Sequence, residues 1–408
     1  FQATFAYVAL SGVLIAYALL ASIDIGAGFY YWLAGTHLPR LPWRVQTRPS
    51  AQARATKQAI QRVTLAYLSP VWEVTNVVFI FFVVGMIGFF PVSARIFGTA
   101  LLAPVSLATI ALVMRGAALG YHHLGHGSGV APRFERALAP IFGLLGLLVL
   151  PLLATFLSSA EDGAIRTTGA SGAVVVALAL LWLSPLQIAL AALAVVTPLY
   201  LAAVTLAHFA ARRSAFAVAR FYRGAALRMG ALVAALAAIF GATLAIVAPF
   251  HARALLRAWP LALLTLALFA VSGWALARSS RQVDTGQATR RYRLASWAAL
   301  AQFALSLGLF LLTRAPYLVY PSVRLADAIT PSATFIALTI TVIVGLAVVL
   351  PSLGLLYALF LRAPTTRQST RQSVAAEAAP ALAPAATPDA QNTTTLQTPE
   401  LPELASTP

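Results

Sequence analysis

Nine stretches of about 20 or more mainly apolar residues follow one another along this chain, near residues 5 to 34, 64 to 90, 99 to 119, 138 to 158, 183 to 209, 229 to 248, 259 to 277, 294 to 313 and 333 to 361. A helix of that length crosses the hydrocarbon core of a bilayer. Lipid offers the backbone no hydrogen-bond partner, so each stretch must satisfy its own peptide groups as a helix. With 60% hydrophobic and 10% charged residues there is too little polar surface for a soluble domain. The predicted fold class is an all-α polytopic membrane protein with about nine transmembrane helices. A further apolar run, 173 to 182, is too short to cross and abuts Ser184 and Pro185, so it reads as a half-helix or interfacial piece.

The net charge of +17 could suggest nucleic acid, but the basic residues punctuate the apolar stretches instead of lining one face. They act as an orientation signal, and no nucleic-acid partner is expected. Alternate connections split the loop and tail Lys and Arg residues 21 to 6, the larger set including Arg54, Lys57, Arg62, Arg212, Arg213, Arg290 and Arg293, the smaller Arg95, Arg166, Arg253, Arg257, Arg314 and Arg324. The positive-inside rule then places the amino terminus outside and the carboxyl terminus in the cytoplasm. The first stretch is too long for a signal peptide, lacks a basic leader and carries Asp24, so it reads as a retained helix. Residues 1–362 form the transmembrane domain. From Ala363 to Pro408 Ala, Pro and Thr dominate, a composition expected to give a disordered cytoplasmic tail.

Only Asp24, Glu73 and Arg115 read as charges within the apolar stretches. Such a group costs roughly 2.5 to 3.5 kcal/mol on insertion scales, so each marks a functional site with a partner to be found. Asp24 stands beside Gly26 and Gly28, which permit close helix approach. Glu73 follows Pro70 and Trp72, and Asn76 one turn on extends its polar face. Asp24 lies ten residues before the end of its stretch and Glu73 nine after the start of the next. Both acids therefore sit ~15 Å in from the same side. Arg115 either pairs with one of them or snorkels to the headgroups. A carboxyl group held in low dielectric exchanges protons nearer neutrality, as a proton-delivery path requires.

The chain has no cysteine, which removes disulfides, iron–sulfur clusters and thiolate ligation. His122, His123 and His126 have metal-like spacing, yet beside Gly125 and Gly127 they read as a solvated basic loop, and no metal site is expected. His37, His208 and His251 are scattered, with no pair placed to clamp a haem across a bundle.

These motifs resemble a known family. The Asp24 segment is similar to the Gly-Phe-Asp-Leu-Gly element of subunit II of cytochrome bd-type quinol oxidases, and Ser69 to Pro91 to its Gly-Pro-Val-Trp-Asp-Gly-Asn-Glu-Val-Trp element. Arg115 and Gly116 match the Arg-Gly of the third helix. The likeness continues through Leu183, Ser184, Pro185 and Leu186, then Pro316 to Ser322, Ile329 and Thr330, and Leu355 to Tyr357. Glu73 replaces the family's usual Asp, Thr75 and Asn76 stand where Asn-Glu is common, and Val78 replaces a tryptophan. Leu119 to His122 replaces a Phe-Glu-Phe-Arg type element, which marks a divergent member.

The resemblance implies a subunit that binds no cofactor alone and packs against a haem-bearing subunit I in a bacterial or archaeal plasma membrane. The partner would hold haems b and d and oxidise quinol, and small accessory subunits could join the complex. Oxygen reduction to water consumes cytoplasmic protons in this family, and the chain would help deliver them. Glu73 and Asp24 would be relays, Arg115 their electrostatic partner and Trp72 an aromatic spacer at the subunit contact. Two alternatives stay open: a quinone-binding membrane anchor of another reductase complex, and a secondary transporter.

The arginine asymmetry yields a direct test. Reporter fusions after Arg62, Arg213 and Arg293 should report cytoplasm, and fusions after Arg95, Asp162 and Arg257 the outside; a cytoplasmic signal at Asp162 is incompatible with nine crossings.

Overall fold

Helix covers every apolar stretch for which residues are described. The computed structural model describes residues 1–35, 51–125, 141–161, 163–168, 173–279 and 285–361, with backbone alone at 69–73 and 119–125 among others. The helices are α1 (Gln2–Gly35), α2 (Ala51–Phe89), α3 (Pro91–Ala100), α4 (Leu102–Gly125), α5 (Gly146–Ser158), α6 (Leu178–Leu183), α7 (Pro185–Arg212), α8 (Phe216–Val247), α9 (Pro249–Arg257), α10 (Trp259–Ser279), α11 (Thr285–Arg314), α12 (Leu325–Ala328) and α13 (Ser332–Leu361). A π-helical turn, Ile141–Leu145, leads into α5. Two short antiparallel hairpins complete the described structure: β1 (Ile165–Thr168) with β2 (Ala173–Val176), and β3 (Tyr317–Val319) with β4 (Val323–Arg324).

Among the described residues, α1, α7, α8, α10 and α11 are each long and apolar enough to cross a membrane alone. The second half of α2 joins them if α3, bent away by 119°, is counted as the same span. The break falls at Pro91, whose ring nitrogen has no hydrogen to continue the helix ladder but suits the first position of a new helix. Residues 102–118, 143–158 and 332–348 are shorter apolar helices. The half-helix expected over 173 to 182 is corrected: Ala173–Val176 is a strand and only Leu178–Leu183 is helical. Three consecutive β-branched valines fit a pleated strand better than a helix. The tail from 363, His126 and the loops 36–50, 126–140 and 280–284 lie outside the described residues.

Residues 1–358 make one compact unit, and α1 runs through its middle, packing on α2, α5, α7 and α11. Its contact with α7 depends on Gly26. A Cβ there would meet Ala202 Cβ at 2.6 Å and run into the Pro198 carbonyl. Tyr30 locks the same contact by donating to the Leu199 carbonyl at 3.1 Å, while its ring meets Tyr222 of α8 edge-on. Tyr222 in turn shares a 2.5 Å hydrogen bond with Thr64 of α2. Across the bundle Tyr200 bonds Ser272 at 2.9 Å, and Ser272 donates to the Ala295 carbonyl at 3.0 Å, joining α7, α10 and α11. Each hydroxyl satisfies a polar group that lipid could not.

Gly26→Ala should therefore force α1 off α7, at a cost of about 1–3 kcal/mol typical of overpacking. Gly308→Ala, whose nearest neighbour Ile15 Cδ1 lies 3.4 Å from the added methyl, should be tolerated. Thermal melting of the purified protein checks both, and equal melting points contradict the packing account.

Candidate functional site

The arginine of α4 and the aspartate of α1 meet. Arg115 Nη1 donates to Asp24 Oδ2 at 2.8 Å, and Nη2 reaches the Asp24 backbone carbonyl at 3.3 Å. Asp24 is 1% exposed and Arg115 4%. Arg115 therefore pairs and does not snorkel. Gly146, at the start of α5, makes the pairing possible: a Cβ there would come within 3.1 Å of Arg115 Nε. The pair sits in an apolar sheath of Tyr17, Ala21, Ile25, Ala111 and Val149, with Val78 and Phe79 of α2 packed against it. In so low a dielectric the Coulomb attraction is far stronger than at a surface. Asp24 Oδ1 is buried and accepts no hydrogen bond from any described group. One carboxylate oxygen is thus held by the arginine while the other keeps its lone pairs for a proton or a water.

Trp72 and Glu73 lie on α2, the helix packed along α1, but their side chains fall outside the described residues. Asn76, one turn further on, is half-buried, and Thr75 beside it is buried. The structure thus brings Asp24 and Arg115 together and places the other three candidates on the adjoining helix.

A second buried ionic cluster escaped the sequence reading, which recognised only three charges within the apolar stretches. Glu161 receives both Arg314 Nε at 3.1 Å and His251 Nδ1 at 3.2 Å, and all three side chains are at least 96% buried. His251 Nε2 contacts the Thr313 hydroxyl at 2.8 Å, and Arg314 Nη2 donates to the Leu318 carbonyl at 2.5 Å. The carboxylate contacts are close charge contacts without hydrogen-bond alignment. They join the ends of α5, α9 and α11 to the β3–β4 hairpin, which is also held by Tyr320 N–H donating to the Ala160 carbonyl at 3.0 Å. Glu161 and Arg314 sit at the edges of their apolar stretches, where a linear reading assigns them to loops. The available signal was that His251, the only histidine of its connection, lies between two prolines in a short helix that ends at Arg257, and this is too weak to identify a cluster.

Haem ligation needs histidine or methionine side chains aimed into a large cavity. The apolar cavity of about 310 Å³ between α1, α5, α7, α8 and α11 is lined by neither. Both ring nitrogens of His251 are engaged by Glu161 and Thr313. Among the described residues no cluster of three or more metal-ligating residues is present.

Removing one partner of a buried ion pair leaves an uncompensated charge, at a cost of about 3–5 kcal/mol, whereas replacing both by apolar groups is often near neutral. Glu161→Met alone should lower the melting temperature clearly, and Glu161→Met with Arg314→Met should recover most of the loss. A double variant as unstable as the sum of the two singles contradicts a paired cluster.

Comparison with known proteins bears on this arrangement. A 26% identical relative from Bacillus subtilis (strain 168), aligned over 86% of this chain and 93% of its own length, carries the name of a cytochrome bd menaquinol oxidase subunit II. The solved bd oxidase of Geobacillus thermodenitrificans contains a chain 29% identical, superposing with a TM-score of 0.65 over 88% of this chain and 98% of that one. The family model for cytochrome bd terminal oxidase subunit II matches residues 2–360. With its apolar helices and that match spanning nearly all of the sequence before the tail, this multi-pass plasma-membrane chain belongs to the cytochrome bd terminal oxidase subunit II family, a part of a respiratory oxidoreductase complex.

Proposed function

We propose that the chain is the haem-free, accessory subunit of a quinol-oxidising oxygen reductase and that it carries protons from the cytoplasm towards a haem-bearing subunit I. The observation that carries this reading is the buried Asp24–Arg115 pair with one unengaged carboxylate oxygen, on a helix packed along the one that bears Glu73. Asp24 is held by one arginine through Oδ2, and among the described residues Oδ1 accepts no hydrogen bond. In this reading Glu73 hands protons to Asp24 or receives them from it, and Asn76 and Trp72 line the contact with the partner.

Two further observations support the assignment. Val77, Ile80, Val84 and Ile87 recur at helical spacing along α2 and are 43–62% exposed, an apolar stripe beside Asn76 suited to lipid or to a membrane partner. Neither cavity described among these helices offers two facing haem ligands, the larger having His208 alone, which supports haem being held by the partner. The haems would supply electron transfer and oxygen chemistry there.

Glu73→Gln and Asp24→Asn should each slow steady-state oxygen consumption of the two-subunit complex by about a hundredfold, the lower range of effects for a lost proton-transfer group, with haems still bound and reducible by quinol. Glu73→Asp should retain much of the rate. Purified alone, the subunit should show no Soret band. Wild-type turnover in Glu73→Gln contradicts the relay, and stoichiometric haem on the isolated chain contradicts the accessory role.

A further inference from the structure

The arginine-rich side of the bundle holds a cavity of about 470 Å³ that neither ionic cluster uses. Arg212, at the end of α7, and Arg290 and Arg293, one turn apart on α11, converge on it, and no carboxylate of the described residues lines it. On the α7 wall, Thr205 and His208 stand one turn apart and also face the cavity. Thr205 Oγ1 and His208 Nδ1 are both buried and find no hydrogen-bond partner among the described residues. An orientation signal needs only basic residues near the headgroups. It requires neither a concave wall nor a buried hydroxyl and imidazole nitrogen left unpaired, and such groups are costly unless something bonds them.

The rim adds a second property. Trp297, one turn beyond Arg293, is 66% exposed, and Leu300 continues the same wall. An amphipathic ring at this position belongs at the headgroup level of a bilayer, with acyl chains beside it. Positive charge at the mouth, polar groups at depth and an apolar rim together match an anion with a hydrocarbon body.

We propose that this cavity between α7 and α11 binds a phosphate-bearing anion, its phosphate held by Arg212, Arg290 and Arg293. Guanidinium forks complement phosphate oxygens, and basic cavities between membrane helices on the cytoplasmic side suit anionic lipid headgroups. The apolar rim makes an anionic phospholipid of the inner leaflet the fitting source, with its chains along Trp297 and Leu300. The site stands apart from the proton-relay reading and rests on none of it.

The test is native mass spectrometry of the detergent-solubilised complex of this chain with its partner subunit, after exchange into phosphatidylglycerol or phosphatidylcholine. The wild type should retain phosphatidylglycerol in preference to phosphatidylcholine, and Arg290→Gln with Arg293→Gln should weaken retention about thirtyfold. Arg290→Lys with Arg293→Lys should keep most of it, since the charge remains. Loss of phosphatidylglycerol to inorganic phosphate, with phosphate then bound in an arginine-dependent way, assigns the same site to the free anion. If the glutamine variant does not assemble, high salt on the wild type makes the same reading, because screening removes an electrostatic headgroup contact. Equal retention of both lipids, or phosphatidylglycerol retention unchanged by charge removal or salt, overturns the proposal.

Discussion

Much of the inner arrangement depends on one buried ion pair, Arg115 with Asp24. Two full charges removed from water are tolerated only at contact distance, and a single 2.8 Å bond links α4 to α1, which both pack on the π-helical turn and α5. Neighbouring positions are then constrained. At Gly146 a Cβ would come within 3.1 Å of Arg115 Nε and press on the guanidinium, and Gly26, half a turn from Asp24, must be small for α7 to close on the opposite face of α1. An ionisable side chain is thus held among close helix contacts in an apolar sheath.

The bundle is polar at discrete points and apolar between them. The pair of Asp24 and Arg115 lies on one level, the cluster of Glu161, His251 and Arg314 on another, and a cavity of about 310 Å³ lined by leucine, phenylalanine and a few hydroxyl and amide groups occupies the interior. The two ionic groups differ in how they are completed. Arg314 and His251 both converge on Glu161, which gives the carboxylate two cationic or donor neighbours and fastens a hairpin to three helix ends. Asp24 is served by one arginine and keeps an open oxygen.

The helices and the close packing at the first site were legible in the sequence because both follow from local rules. Long apolar runs dictate helix in lipid, and an acid beside two glycines announces a tightly packed position. Gly26 does face α7 as its neighbours implied, and Arg115 resolved in favour of pairing. What stayed hidden depended on tertiary geometry. Glu161, His251 and Arg314 are separated by up to 153 positions and lie at stretch edges, so nothing local distinguishes them from loop charges. The strand at Ala173–Val176 was misread because a short apolar run carries no periodicity that separates strand from helix. Arg212, Arg290 and Arg293 were read as orientation signals, and only the fold shows that they share one concave wall.

The account holds that Asp24 and Arg115 act as one unit. A double-mutant cycle on Asp24→Asn and Arg115→Gln, read in oxygen consumption per haem of the assembled complex, tests this most directly. The account predicts strong coupling, roughly 0.5 to 3 kcal/mol, with the double variant losing clearly less than the two single losses combined. Losses that simply combine, with no coupling between the two positions, would contradict it.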